Sequence, residues 1–211
     1  MSSEIRKLYQ QALLLSIFTI GYNLIEGAVS VFLGYEDETL TLFGFGIDSF
    51  IEVISGLGIM LMILHIHRNQ ENPVADYEIT ALKITGFGFY GLSAGLIVAA
   101  ILSIVHHHTP VTTFWGIVIS LLSILVMLVL VVTKMRVGKK LNSDPIIADA
   151  NCSKVCIYMS AVLLGSSLIY ELTGFAYADI IGAAGLTWFS VHEGQEALHR
   201  AREKLYEEDG H

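Results

Sequence analysis

The chain has 211 residues, enough for one ordinary soluble domain, but its composition argues against that class. Apolar residues make up 54% of the sequence and charged residues 15%, and the mean hydropathy of +0.62 is too high for a soluble globular protein. The net charge of −8 gives no reason to expect a nucleic-acid partner, since such proteins usually carry a basic patch. Seven of the 20 acidic residues lie in YEDET and in the C-terminal EKLYEED.

The apolar runs predict an all-α membrane protein built as a six-transmembrane-helix bundle. Each run reaches the roughly 20 residues that a helix needs to cross the hydrocarbon core of a bilayer. The predicted spans cover residues 8–32, 40–65, 79–105, 111–134, 145–170 and 176–197. We expect one transmembrane domain over residues 1–198, a short cytoplasmic tail over 199–211, and no soluble C-terminal domain.

The distribution of Lys and Arg predicts that both termini are cytoplasmic. Apart from Lys154, these residues fall at the termini or in and beside the second and fourth connections, and the first, third and fifth connections contain none. This is the positive-inside pattern of an even number of spans. With Lys83 and Lys134, which lie near the ends of their spans, assigned to the second and fourth connections, Lys154 is the only basic residue expected in the interior of a span. We interpret the chain as a multi-pass protein of a bacterial cytoplasmic membrane.

Small residues four positions apart predict close helix packing in the third and sixth spans. Gly91 and Gly95 lie in the third, and Ala178 and Gly182 lie in the sixth. Such spacing lets helix backbones approach closely in lipid, within one bundle or between subunits. Between the two small residues of the sixth span lies Asp179, which we expect to cap the N-terminus of its own helix.

The stretch GFGIDSFIEVISG places two carboxylates inside the second span. Asp48 and Glu52 are four residues apart and therefore share one face of a helix. A charge facing lipid is costly, and two neighbouring carboxylates repel each other unless a cation or a proton lies between them. One basic residue, Lys154, cannot neutralise both. This pair therefore predicts a cation site inside the membrane.

The fifth span carries a second polar stripe in the stretch ADANCSKVC. Cys152 and Cys156 are also four residues apart, a separation too wide for a disulfide within one helix. A buried cysteine is most often a small apolar residue. Together with Asp48 and Glu52, however, the two thiols give four ligands, which is the number that tetrahedral Zn²⁺ prefers.

These two stretches, with FAYADIIGAAGLTWFSVHEGQEAL in the sixth span, resemble the second, fifth and sixth helices of the cation diffusion facilitators. The resemblance implies metal ligands at Asp48, Glu52, Cys152 and Cys156. It also implies a homodimer that exports divalent metal in exchange for protons. The cysteines replace the His or Asp pair of the family, and we expect no counterpart of the family's cytoplasmic C-terminal domain, as in its short bacterial-type branch. A dimer would then be held by the membrane helices.

Three further polar residues are candidates for secondary roles. We expect Asn23 to form a hydrogen bond between helices. Glu26 is either a proton carrier or an ion-pair partner of Lys154, and we favour the ion pair. Asp149 lies on the ligand side of the fifth span, either on the access path to the site or behind the ligands, where it would orient them.

The sequence thus predicts a secondary active transporter rather than an enzyme, with no resident cofactor. We expect proton-coupled efflux of Zn²⁺ by alternating access, and the residues leave Cd²⁺, Co²⁺, Ni²⁺ and Fe²⁺ open. The expected partners are lipid, protons, divalent metal ions and a second copy of the chain. A proton-coupled carrier of an organic solute and an accessory membrane subunit remain as alternatives. A zinc hydrolase is disfavoured, because a site with four protein ligands leaves no position for water.

Overall fold

A computed structural model describes residues 3–37, 39–67, 74–106, 109–175 and 177–209. Regular structure within these ranges is entirely α-helical, which confirms the predicted all-α class. The helices in chain order are α1 (Ser3–Glu36), α2 (Leu40–His67), α3 (Val74–His106), α4 (Phe114–Leu141), α5 (Asp144–Thr173) and α6 (Ala178–Asp209). Most extend beyond the predicted spans, because the polar flanks contain few residues that interrupt a helix.

Five of the described helices contain a segment long and apolar enough to cross a membrane. These segments are Ile5–Glu36, Leu40–Gly58, Leu82–His106, Phe114–Leu141 and Asp149–Thr173. They fit a multi-pass membrane protein. Helix α6 is not among them, because its C-terminal half from Glu193 onward is rich in charged residues.

The bundle consists of three helix pairs, and α2, a member of one pair, also contacts the other two. Helices α1 and α2 pack against each other along their length, as do α4 and α5, and each of these pairs is a hairpin with a short connection. Helix α3 packs against α6, which is distant in sequence. Helix α2 also contacts α3, α5 and α6. Its central position brings the acidic face of α2 against α5.

Glycines set the close approach of α1 to α2. A Cβ atom added to Gly46 would lie 2.7 Å from the backbone nitrogen of Val31, and one added to Gly34 would lie 2.5 Å from that of Phe43. Both distances are shorter than real Cβ contacts allow. The two backbones therefore meet at positions where no side chain fits, as small residues permit between membrane helices.

Hydrogen bonds tie the first connection, the third connection and the end of α5 together at one end of the bundle. The backbone N–H of Val111 donates to the carbonyl of Asp37 over 3.0 Å, which joins the third connection to the first. The backbone N–H and the hydroxyl of Thr113 donate to Glu171 Oε2 over 3.2 and 3.1 Å, which holds the start of α4 against the end of α5.

Asp179 caps α2 and not its own helix, so that prediction was wrong. Its carboxylate accepts hydrogen bonds from the backbone N–H groups of Leu40 and Thr41 over 2.7 and 3.1 Å. The Thr41 hydroxyl donates in return to the backbone carbonyl of Asp179 over 2.7 Å. The free N–H groups at a helix N-terminus favour a nearby carboxylate. The first turn of α6 supplies this group to the N-terminus of α2.

The predicted small-residue pairs behave differently from each other. A Cβ atom on Gly182 would lie 2.5 Å from the Thr41 hydroxyl, so this glycine serves close packing as expected. For Gly91 and Gly95, no atom of the described chain lies within 4 Å of such a Cβ. Both residues are exposed on the outside of α3, so they do not pack against the described part of the bundle.

Candidate metal centre

Helices α2 and α5 bring three of the predicted ligands together inside the bundle. One ligand atom each from Asp48, Glu52 and Cys156 lies within 4.8 Å of the other two. Asp48 and Cys156 are buried and Glu52 is partly buried. The cluster forms because the helical repeat puts Asp48 and Glu52 on one face of α2, and that face packs against α5.

The fourth predicted ligand, Cys152, lies in α5 one turn before Cys156, but its side chain lies outside the described part of the structure. Its role as a ligand stays a prediction. The Cys156 thiol is free and buried.

Asp48 is the most isolated polar group of this cluster. Its side chain is 1% exposed, and neither carboxylate oxygen has a hydrogen-bond partner among the described residues. Buried polar atoms in proteins nearly always have a partner, and a buried carboxylate left without one is costly. The arrangement therefore calls for a cation or a proton at Asp48.

Asn23 of α1 reaches across to the same cluster. Its Nδ2 atom donates a hydrogen bond to Glu52 Oε2 over 2.7 Å, and its side chain is fully buried. The predicted bond between helices is thus present, and its partner is one of the predicted ligands. The Oδ1 atom of Asn23 is buried without a partner in the described chain.

Glu26 belongs to a separate polar group next to the cluster. Its two carboxylate oxygens accept hydrogen bonds from the Tyr22 hydroxyl over 2.7 Å and from the Ser49 hydroxyl over 3.2 Å. Lys154 instead donates to Asn151 Oδ1 over 2.9 Å. The expected ion pair between Glu26 and Lys154 is therefore not the arrangement found, and Glu26 contributes another buried carboxyl group beside the site.

Asp149 has a basic partner that the sequence analysis missed. Lys134 Nζ lies 2.9 Å from Asp149 Oδ2 and 3.1 Å from the Ser153 hydroxyl oxygen, and both charged side chains are buried. The sequence predicts that the fourth span ends at Lys134 and that this residue belongs with the connection, but α4 continues past it to Leu141. The available signal was its spacing: Lys134 and Asp149 lie at nearly equal distances in sequence from the turn at Asn142, so an antiparallel hairpin places them side by side.

The charges around the cluster are strongly unequal. Asp48, Glu52 and Glu26 are three carboxyl groups in the interior. The buried lysine whose charge acts on Glu52 is Lys134, and it is already paired with Asp149. Two carboxylates and a thiolate suit a borderline or soft divalent ion better than Mg²⁺. A tetrahedral Zn²⁺ with bonds of about 2.0–2.3 Å separates its ligands by roughly 3.3–3.8 Å, so movements of order 1 Å would close these three atoms on an ion.

The fold fits a multi-pass helical membrane protein, and the cluster is a candidate cation site made of buried or partly buried carboxyl and thiol groups. No protein-family model matches the sequence, and no curated protein matches it either. The resemblance to cation diffusion facilitators therefore depends on the three sequence motifs alone.

Proposed function

We propose that this chain is a secondary active transporter of divalent metal, similar in kind to the cation diffusion facilitators, and that it exports Zn²⁺ in exchange for protons. The observation that carries the proposal is the cluster of Asp48, Glu52 and Cys156, in which Asp48 is buried with both oxygens unpartnered. Carboxylates and thiolates bind metal and protons competitively, so binding of the ion releases protons. Exposing such a site alternately to the two sides of the membrane exchanges the metal ion for protons.

The proposed topology has six spans with both termini in the cytoplasm. Helix α6 would be the sixth span, although its second half is charged. In its support, the start of α6 lies at the end of the bundle where Asp179 contacts the start of α2, as an alternating topology requires. The connections at that end lack Lys and Arg, and the positive-inside rule therefore supports an orientation in which they lie outside the cytoplasm. A bacterial cytoplasmic membrane is the proposed location.

We also propose that two copies associate through their membrane helices. The exposed glycines of α3, Gly91 and Gly95, leave an open apolar face that another helix can approach closely. Cysteine cross-linking between single Gly91→Cys chains, in a variant lacking both native cysteines, tests this directly, and a cross-link only at a distant exposed position such as Leu125 would contradict it.

Metal flux into proteoliposomes that contain only this protein tests the function. With Zn²⁺ on one side and a pH-sensitive dye on the other, we expect metal flux coupled to an opposite proton flux. Asp48→Asn should reduce the flux at least tenfold, since loss of an outer partner alone typically costs about 10–100-fold at metal sites. Glu36→Gln, which neutralises an exposed carboxylate at the end of α1, is the matched control and should transport normally.

The same measurement separates the alternative functions. Proton flux driven by an organic solute without metal would indicate a solute carrier. A protein that is folded, inserted and silent towards every divalent ion would indicate an accessory subunit. Either result would contradict the proposed metal transport.

A further inference from the structure

The hydrogen bond from Asn23 to Glu52 connects α1 to the candidate metal centre. The Asn23 amide is fully buried, and its donor lies 2.7 Å from Glu52 Oε2. Because the bond engages one oxygen of the carboxylate, the other oxygen is presented in a fixed direction. One lone pair of Oε2 is already used by this bond, so coordination of an ion through both oxygens is less favourable than coordination through the other oxygen alone.

We infer that Asn23 is a positioning residue that restricts Glu52 to one ligand oxygen and so sets which metals the site accepts. The inference rests on the proposed function, since it requires Glu52 to bind a metal. Zn²⁺ is satisfied by four ligand atoms. Ca²⁺ takes six to eight oxygens and commonly uses both oxygens of a carboxylate. Holding back one oxygen of Glu52 therefore favours Zn²⁺ and disfavours Ca²⁺.

The packing of α1 on α2 keeps this bond in register. Gly27 lies one turn after Asn23, and a Cβ atom there would lie 3.0 Å from the carbonyl oxygen of Gly46. The close approach at Gly27 and at Gly46 fixes the axial position of α1 relative to the acidic face of α2. Since α1 cannot slide without a clash, the Asn23 amide stays level with Glu52.

Neighbouring polar residues on the same stripe of α1 do not share this role. Thr19 lies one turn before Asn23 and is also buried, but its hydroxyl donates to the carbonyl of Leu15 in its own helix over 2.8 Å. Thr19→Val therefore removes a buried hydroxyl from the same face without touching Glu52. This substitution is the matched control for changes at Asn23.

The test uses the purified full chain in detergent, with Co²⁺, Zn²⁺ and Ca²⁺ as probes. The visible absorption of bound Co²⁺ is intense in four-coordinate sites and weak in six-coordinate ones, so it reports the coordination number. For Asn23→Leu we expect Zn²⁺ affinity to fall about tenfold. The ratio of Zn²⁺ to Ca²⁺ affinity should fall by more than this factor, because Ca²⁺ gains the second oxygen of Glu52. The Co²⁺ bands should weaken. Thr19→Val should keep the ratio and the spectrum of the unmodified protein.

The outcomes distinguish failure of the proposed metal transport from failure of the proposed role of Asn23. If the unmodified protein binds neither Zn²⁺ nor Co²⁺, the proposed function fails. If it binds both, and Asn23→Leu retains the same affinity ratio and the same Co²⁺ spectrum, the role of Asn23 is refuted. Equal shifts in Thr19→Val would also refute it, because they would indicate general loosening of α1. Should Asn23→Leu not fold, Asn23→Ala is measured instead, with the same expected changes and the same outcome counting against the inference.

Discussion

Removing one partner of the buried Lys134–Asp149 pair should destabilise the protein strongly, and removing both should not. The two charged atoms lie 2.9 Å apart, and the side chains are 2% and 8% exposed. At an effective dielectric constant of about 20, this separation corresponds to an attraction of about 6 kcal/mol, which offsets the cost of burying the two charges. Either single change leaves the remaining charge buried without its partner.

We therefore expect Lys134→Met and Asp149→Leu each to lower the free energy of unfolding by about 3–5 kcal/mol. The double variant carries two apolar side chains in the same space and should be close to the unmodified protein, or more stable. Reversible unfolding by SDS in mixed micelles measures all four proteins, and the double-mutant cycle isolates the coupling between the two positions.

Single variants within about 0.5 kcal/mol of the unmodified protein would refute this reasoning, since that is the range of substitutions at exposed positions. A double variant as unstable as the sum of the singles would also refute it. That result would mean that each side chain stabilises the fold through other contacts, such as the bond from Lys134 to Ser153. Lys154→Met is the control, because this partly buried lysine bonds to Asn151 rather than to a carboxylate.

Two further predictions follow from the geometry. Metal affinity should fall as pH is lowered from about 8 to about 6, because each ligand must lose its proton before it binds the ion. Titration calorimetry in buffers of different ionisation enthalpy counts the protons released, and an affinity independent of pH would contradict a site built of carboxylates and thiol. Gly46→Ala should destabilise the bundle by about 1–3 kcal/mol, since its Cβ would lie 2.7 Å from the backbone of α1. Gly21→Ala meets open space on α1 and should be nearly neutral in the same SDS unfolding assay, and equal effects at both glycines would disprove the packing argument.

The part of the site that the sequence predicts is the part that depends on helical periodicity. Asp48 and Glu52 stand out because the surrounding run is apolar, and their spacing places them on one face whatever the neighbouring helix is. Cys156 could be assigned to the facing helix only through the resemblance and the count of ligands. The structure brings it to the two acids, while the assignment of all four residues as ligands stays a prediction.

The residues whose roles were misjudged depend on which helices are neighbours, and periodicity carries no such information. Asp179 lies in the first turn of α6, where capping its own helix is the local expectation, yet the start of α2 is close enough to compete for it. Lys134 has the flanking sequence of a connection, but α4 continues for almost two more turns. In both cases the partner lies on another helix, and only the packed bundle identifies it.

The contacts of the bundle also indicate how a transport cycle would divide it. Helices α4 and α5 are held together near both ends, by Glu171 with Thr113 and by Lys134 with Asp149. Helices α1 and α2 are held together by their glycines and by the Asn23–Glu52 bond. Asp48 and Glu52 belong to one of these hairpins and Cys156 to the other, so the candidate site lies at the boundary between two internally fastened pairs. In the proposed transport cycle, an ion bound by all three residues would hold the two pairs together at the site, and rocking of one pair against the other would expose the site first to one side and then to the other.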